Sequence, residues 1–317
     1  MQFLDNPDPL IVIVGPTAVG KTVLAIEVAG RLAGEIVSAD SRQFYSGMDI
    51  GTAKPGQQEM QTIPHHLIDI AEPDQPLSLV AFQEAARNAI ASIHARNHLP
   101  FLVGGTGQYI QAVLEGWQAP QQPPDLTMRR ILEEWGREIG PEQLYQRLRL
   151  LDAEAASHIE PRNLRRIVRA LEVIFTTGRP FSQQKTRATS PYSLCIIGLK
   201  LPRPELYQRV DARIDRMVEN GLLDEVRLLL QKGYSPDSPP FSAIGYREMV
   251  FVIRGEKTMA EAVASMKRLT RQYIRRQSNW FKQADPKIHW FDAREIAADD
   301  IIRCIQNSES WIRKPEK

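Results

Sequence analysis

The chain has 317 residues, 43% of them hydrophobic and 25% charged, with a formal net charge of +2, which is an ordinary globular composition with room for roughly two domains. Its longest apolar stretches have the length of a strand, far below the roughly 20 residues of a membrane span. Residues 1–10 also lack the basic start and apolar run of a signal peptide, so we expect a cytoplasmic enzyme without a membrane segment.

The first predicted element is a strand at residues 11–14, an apolar and mostly β-branched run. Gly15 ends this run, and helical spacing of apolar residues begins after Gly20-Lys21-Thr22. A strand, a loop with this glycine spacing and a helix form the P-loop pattern. Its backbone N–H groups bind phosphate, Lys21 reaches the terminal phosphates, and the Thr22 hydroxyl can ligate Mg²⁺, the predicted cofactor. We therefore predict a diphosphate or triphosphate ligand, with ATP as one candidate, bound by Gly15, Pro16, Thr17, Ala18, Val19, Gly20, Lys21 and Thr22.

A second strand is predicted at residues 35–38 and places Asp40 at the carboxyl edge of a sheet, where ligands bind in open α/β folds. A helical pattern at residues 79–95 and a buried strand that ends in glycines at residues 99–105 continue the alternation, which favours a parallel sheet. Since no carboxylate ends this later strand, Asp40 is the best-placed acid. It could serve the metal indirectly, accept a proton from a nucleophile above the phosphates, or cap the following turn.

The pattern changes after the third strand. Residues 117–127 are rich in Pro and Gln, which predicts a linker, and helical patterns then run from Arg129 to Gly178. We predict a P-loop catalytic core at residues 1–118 and 191–317, interrupted by a helical insertion domain at residues 119–190. The later part of the core is predicted to hold a strand at 193–201, helices at 204–232 and 259–282, and a short strand at 287–291.

Positive charge is concentrated in two of the helical segments. Residues 162–179 carry five arginines against one acid, Glu172, and residues 267–282 carry six basic residues and no acid. A charged run is often only a solvated helix face. Two such runs in a nearly neutral chain favour a polyanionic partner, and the aromatic residues Tyr273, Trp280 and Phe281 among the arginines suit unstacked bases.

Nine motifs occur in order along nearly the whole chain: GPTAVGKT, SADSRQFY, MDIGTAKP, PHHLID, VGGTGQY, NLRRIVRALE, MVENGLLDEV, AIGYRE and TRQYIRRQSNWF. Together they resemble the bacterial tRNA dimethylallyltransferases, also called isopentenyltransferases. The resemblance implies an α/β fold with a P-loop NTPase- or nucleotide-kinase-like parallel sheet and an inserted helical domain. It also implies transfer of a dimethylallyl group from dimethylallyl diphosphate to the exocyclic N6 of the adenine 3′ of the anticodon in tRNA. Two departures from the family pattern, Val19 and Gln108, remove no proposed catalytic group.

The same resemblance assigns roles to individual residues. Asp40 matches the general base, Thr106 the threonine that orients the reacting amine, and Arg213 an arginine that reaches toward the diphosphate. The partner is the anticodon stem-loop of tRNA, and we expect the protein to be a monomer. The positions that match tRNA contacts of the family are Asp40, Ser41, Arg42, Gln43, Thr106, Arg129, Arg165, Arg166, Ile167, Val168 and Arg169.

Two other functions share parts of this pattern. A P-loop nucleotide or small-molecule kinase would explain the phosphate loop, but it leaves the two basic helices and the lack of a second carboxylate without explanation. An RNA-binding NTPase without group transfer would explain the basic helices, but it gives no role to Asp40 or Thr106. The three functions differ in their products, since a prenyltransferase releases diphosphate only when RNA is present.

Overall fold

The computed structural model describes residues 8–115, 125–184 and 190–308, so most of the predicted linker and the first residues of the chain lie outside the described residues. The chain divides into two compact units. One unit comprises Met1–Leu114 and Pro191–Lys317, and the other comprises Glu115–Ser190. The catalytic and RNA-contacting roles assigned above to these parts of the chain stay predictions.

The first unit is built around a parallel β-sheet. Its strands are β1 (Pro9–Val14), β2 (Gly34–Ser38), β3 (His65–His66), β4 (Leu99–Val103), β5 (Ser193–Lys200) and β6 (Ile288–Asp292), in the order β3-β2-β4-β1-β5-β6. All five pairings are parallel. Every residue of β1 is buried, which explains its continuous apolar sequence, because a central parallel strand is covered on both faces. The predicted α/β class with a parallel sheet is confirmed.

Helices connect these strands. The described helices that precede the second unit in the chain are α1 (Lys21–Arg31), α2 (Gln57–Thr62), α3 (Leu79–Ala95) and α4 (Gly107–Leu114). Helix α3 has the predicted bounds. Its N-terminus is capped by the Ser78 hydroxyl, which accepts from the Ala81 N–H, and its buried face carries Phe82, Ala86 and Ile90 at helical spacing. The later helices are α9 (Arg203–Glu219), α10 (Leu222–Gln231), α11 (Tyr246–Ile253), α12 (Met259–Gln277) and α13 (Ala298–Gln306).

The prediction of one helix at residues 204–232 was wrong. The chain breaks after α9 at Gly221, whose φ of 94° is left-handed, a conformation that glycine adopts without steric cost. Helix α12 also ends at Gln277, before the predicted end at residue 282. The short α2 and the two-residue β3 were not predicted.

The second unit is helical where it is described, with α5 (Leu126–Ile139), α6 (Pro141–Leu151), α7 (Ala153–Ser157) and α8 (Leu164–Thr177). It has a small core of its own, which includes Leu132, Leu144, Leu148, Ile167 and Leu171. Taking both units together, no helix within the described residues is long and apolar enough to cross a bilayer.

Candidate active site

The P-loop follows β1, and two of its carbonyl oxygens contact the Lys21 ammonium. Gly15 is required at the first position, because a Cβ there would lie 2.7 Å from the carbonyl oxygen of Leu199. Gly20, with a φ of 109°, precedes the first residue of α1. The Lys21 ammonium donates to the carbonyl oxygens of Gly15 (3.0 Å) and Pro16 (2.9 Å). The loop therefore places the Lys21 ammonium beside the backbone N–H groups at the N-terminus of α1. Both the ammonium and these N–H groups attract an anion.

A cavity of about 350 Å³ lies at this loop, within the size range of small-molecule sites. Five of the predicted diphosphate-binding residues line it: Thr17, Ala18, Gly20, Lys21 and Thr22. The other three, Gly15, Pro16 and Val19, are not part of its wall, and the Val19 side chain is buried. The wall also has an apolar part, formed by Ala25, Ile36, Pro55 and Val103. The cavity can thus accommodate a ligand with an anionic head and an apolar tail.

Helix α9 adds three arginines to the cavity wall, Arg209, Arg213 and Arg216. Arg213 donates to the Thr17 hydroxyl (3.4 Å) and to the Thr52 carbonyl (3.5 Å). Sequence reasoning singled out Arg213 but missed its two neighbours, although positions i, i+4 and i+7 share one helix face. That spacing was the signal that could have found them.

Lys21 and the arginines of the cavity wall lie close together, and two of these cations have lowered pKa values. Burial lowers the pKa of Lys21 to about 8, the charge of Asp40 opposes this shift, and the charge of Arg213 adds to it. Burial likewise lowers the pKa of Arg213, with Asp40 opposing the shift and Arg216 adding to it. A bound polyanion would relieve this concentration of positive charge, so the electrostatics of the cavity favour a phosphate-containing ligand.

Asp40 and Thr106 lie at the carboxyl ends of the adjacent strands β2 and β4. Asp40 lines the cavity, and its Oδ1 accepts from the Arg42 N–H at 3.0 Å, so the carboxylate does cap the following turn. This contact uses one carboxylate oxygen and is compatible with a catalytic role. The Ser41 N–H donates to the Thr106 hydroxyl at 3.5 Å, which links the two strand ends.

Two residues of α12, Tyr273 and Gln277, approach the same loops; the sequence singled out Tyr273 only as an aromatic that suits unstacked bases, and it did not single out Gln277. The Tyr273 hydroxyl forms hydrogen bonds with the side chains of Thr106 and Gln277, and burial followed by the charge of Asp40 raises the pKa of Tyr273. Gln277 contacts the P-loop and the loop after β4 together. Both residues lie in the basic and aromatic segment at residues 267–282, whose composition predicted RNA contacts. That composition gave no signal for a buried hydrogen-bonding role.

The predicted RNA-contacting residues after Asp40 make contacts within the first unit. Arg42 donates to the carbonyl oxygens of Pro239 (3.2 Å) and Pro240 (3.4 Å). Gln43 accepts from the Ser38 hydroxyl at 2.9 Å and lines the cavity. Gln43 therefore belongs to the wall of the cavity as well as to the predicted RNA-contacting stretch.

In the second unit, the structure separates the predicted RNA-contacting residues into three kinds. Arg129 and Arg169 both bind the buried carboxylate of Glu172, at 2.8 Å and 2.9 Å. Ile167 and Val168 have side chains buried in the core of the unit, so a contact of these two residues with RNA would have to be made by the main chain, and it stays a prediction. Arg165 and Arg166 are exposed on α8.

Family models match most of the chain. A model described as "IPP transferase" matches residues 43–284, and one described as "Isopentenyl transferase" matches residues 9–75. A tRNA dimethylallyltransferase of Roseiflexus sp. is 53% identical over 275 residues, covering 87% of this chain and 90% of the relative. The tRNA dimethylallyltransferase of Roseiflexus castenholzii is 52% identical over 306 residues, covering 96% and 98%.

Solved structures with similar folds carry related names. The tRNA isopentenylpyrophosphate transferase of Bacillus halodurans superposes with a TM-score of 0.70 at 41% identity, covering 94% of this chain and 97% of the other. A eukaryotic dimethylallyltransferase, whose structures capture it acting on tRNA, superposes with a TM-score of 0.77 at 29% identity, covering 90% and 74%.

Proposed function

The chain belongs to the IPP transferase family, and from this we propose that it transfers a dimethylallyl group from dimethylallyl diphosphate to N6 of the adenine 3′ of the anticodon in tRNA. The enzyme is a prenyltransferase. The observation that carries the proposal is one cavity in which a P-loop, three arginines and Asp40 meet beside an apolar wall. A kinase would use the same loop, but it would leave the two basic helical segments without a role.

The donor would bind with its two ends in different surroundings. The backbone N–H groups at the start of α1, the Lys21 ammonium and Arg213 would hold the diphosphate. The five-carbon group would lie against the apolar part of the wall, near Ile36 and Val103. This placement keeps water from the allylic carbon.

We further propose that the donor binds with Mg²⁺. Among the described residues, no group of three or more His, Cys, Asp or Glu side chains could hold a metal ion, so most of its ligands would have to be diphosphate oxygens and water, as is usual for Mg²⁺. The Thr22 hydroxyl, which lines the cavity next to Lys21, would be the protein ligand. When bound, the ion supplies positive charge that stabilises the departing diphosphate.

In the transfer step, the N6 lone pair forms a bond to the allylic carbon while the bond from that carbon to the diphosphate oxygen breaks. The electron pair of the broken bond leaves on the diphosphate, and the N6 proton passes to the Asp40 carboxylate. Thr106 would orient the amine by a hydrogen bond. Lys21 and Arg213 would stabilise the charge that grows on the leaving oxygen, an effect commonly worth about 3 kcal/mol for each well-placed donor.

The adenine has to leave the stack of its loop to reach Asp40, which costs a few kcal/mol and less in a strained loop than in a duplex. Exposed arginines such as Arg165 and Arg166 would bind the phosphates of the anticodon stem-loop. We expect the enzyme to act in the cytoplasm as a monomer.

Product analysis tests the proposed function. The purified protein is incubated with dimethylallyl diphosphate and an unmodified anticodon stem-loop, with each substrate alone, and with ATP in place of the donor. We expect diphosphate to be released only when donor and RNA are both present. Orthophosphate released from ATP would support the NTPase alternative, and a phosphorylated small molecule would support the kinase alternative.

A further inference from the structure

A single buried side chain joins the two loops between which the reaction would take place. The Oε1 atom of Gln277 accepts from the Thr17 N–H of the P-loop at 3.0 Å. Its Nε2 atom donates to the Gly105 carbonyl oxygen, in the loop after β4, at 3.0 Å. The residue is 7% exposed. Both partners are main-chain atoms, so the amide sets the spacing of the two backbones themselves.

The neighbours of Gln277 contact the rest of the loop after β4. Tyr273, one helical turn earlier, forms a hydrogen bond with Thr106. Trp280 lies against Gly107, where an added Cβ would come within 2.2 Å of the indole. An added Cβ on Gly105 would come within 2.4 Å of Gln277 Nε2. Three successive residues, from the loop after β4 to the first position of α4, are thus each contacted by one side chain from the end of α12 or the turn after it.

Only Gln277 among these three is also bonded to the P-loop in the described contacts. The loops leave β1 and β4, which are paired strands, but hydrogen bonds within the sheet do not fix the loops beyond the strand ends. Transfer needs the reacting atoms about 3–3.5 Å apart and aligned, and a misplacement of about 1 Å can cost about 100-fold in rate. The spacing of these two loops would set that alignment.

We propose that Gln277 is a positioning residue for group transfer, which holds the donor-binding P-loop and the Thr106 loop at the separation that the reaction requires. The inference rests on the proposed function, because it assigns the donor to one loop and the adenine amine to the other. Gln277 touches neither reacting atom and would act through Thr17 and Gly105.

The main variant is Gln277→Met, which keeps the length of the side chain and removes both hydrogen bonds. A second variant, Gln277→Asn, keeps the neutral amide but is one methylene shorter, so it can satisfy at most one loop at a time. The matched control is Gln83→Met. Gln83 is also 7% exposed, and its amide on α3 donates to the Ala112 carbonyl oxygen on α4, so this hydrogen bond involves neither the P-loop nor residues 104–106.

The readouts are the single-turnover transfer rate at saturating donor and stem-loop, the two dissociation constants, and the midpoint of thermal unfolding. We expect Gln277→Met to slow transfer by about 100-fold while both dissociation constants stay within about threefold of wild type. Gln277→Asn should give an intermediate rate. Gln83→Met should lower the unfolding midpoint but keep the wild-type rate.

Three results would overturn the proposal: a wild-type rate in Gln277→Met or Gln277→Asn, a loss confined to the dissociation constants, or an equal rate loss in Gln83→Met. If Gln277→Met does not fold, the rate of Gln277→Asn decides alone. A failure of the proposed function looks different, because the wild-type protein itself would then show no transfer to RNA.

Discussion

Asp40 accepts a turn N–H, lines the cavity and lies near two cations, so a substitution has to separate these roles. We predict that Asp40→Asn binds both substrates but slows transfer by about 100- to 10,000-fold, the usual contribution of a general base. The amide keeps the size and the hydrogen bond of the carboxylate, but it cannot take the N6 proton. The check is single-turnover transfer beside separate binding assays for donor and stem-loop.

Asp224→Asn, an exposed change on α10, serves as the control and should leave all three measurements unchanged. Near-normal turnover with weak RNA binding in Asp40→Asn would make Asp40 a recognition residue. Loss of donor binding would instead point to a role at the metal, as in the kinase alternative.

The charge of Lys21 makes the affinity of the cavity for diphosphate depend on pH. Burial lowers its pKa to about 8, so in the free enzyme its ammonium is present below that pH and is lost above it. We predict that the affinity for diphosphate falls as pH rises through about 8. The measurement is the dissociation constant of diphosphate from pH 7 to pH 9.5. Lys21→Met should bind weakly and follow only the titration of the ligand, so parallel curves for the two proteins would refute this role.

The two kinds of arginine in the second unit predict two different phenotypes. Arg165→Gln/Arg166→Gln should weaken stem-loop binding and lower the slope of log affinity against log salt by roughly 1–2, since each phosphate contact contributes about 0.7–0.9. Arg169→Gln should chiefly lower the free energy of unfolding, because it removes a partner of the buried Glu172. Salt titration and chemical denaturation separate the two effects, and an unchanged slope in the double variant would reduce these residues to a solvated helix face.

Glu35 on β2 joins several elements at once. Its buried carboxylate lies 2.6 Å from His66 Nε2 on β3 and 2.7 Å from His98 Nδ1, and it pairs with Arg96 at 2.7 Å. Burial raises the pKa of Glu35, but the hydrogen bonds from Arg96, His66 and His98 outweigh burial and lower the pKa to about 2. The ionised carboxylate therefore stabilises the ends of β2, β3 and α3 relative to the unfolded chain.

The sign of the pH effect follows from this depressed pKa. Stability from Glu35 is fully present above its unfolded pKa of about 4.3 and is lost as pH falls toward 2. We predict that Glu35→Gln lowers the free energy of unfolding by about 3 kcal/mol at pH 7. The difference from wild type should narrow between pH 5 and pH 3 in a series of chemical denaturation curves. A difference that stayed constant with pH would contradict the prediction.

Elements with a strong local signal could be predicted from the sequence. The P-loop needs glycines at fixed positions, and α3 has an uninterrupted apolar face between a serine cap and its last turn, so both are encoded locally. The break at Gly221 could not be predicted by periodicity, because apolar spacing continues on both sides of it. Strand β3 consists of two histidines and forms only because β2 offers it a partner.

In the candidate site, too, residues with a local sequence signal could be predicted, whereas residues that depend on distant contacts could not. Lys21, Thr22 and Asp40 were found because each follows directly from a strand end or a motif. Gln277 was not found, because its partners Thr17 and Gly105 are 260 and 172 residues away in the chain. The burial of Ile167 and Val168 was not predicted either, because the motif marks a stretch of helix without separating its buried face from its exposed face. The chemistry of side chains could be predicted, whereas contacts over long sequence separations could not.

At the level of the whole chain, the sheet unit supplies the cavity and the helical unit supplies an exposed arginine pair on α8. The proposed function requires this one chain to prenylate a defined adenine. The most direct measurement is nucleoside mass analysis of an anticodon stem-loop after incubation with donor and Mg²⁺, using wild type and Asp40→Asn in parallel. We predict that wild type adds one dimethylallyl group to the adenine 3′ of the anticodon, that Asp40→Asn adds almost none in the same time, and that a stem-loop with guanosine at that position is unchanged. An unmodified stem-loop after incubation with wild type, or addition that does not depend on this adenine, would rule out the proposed function.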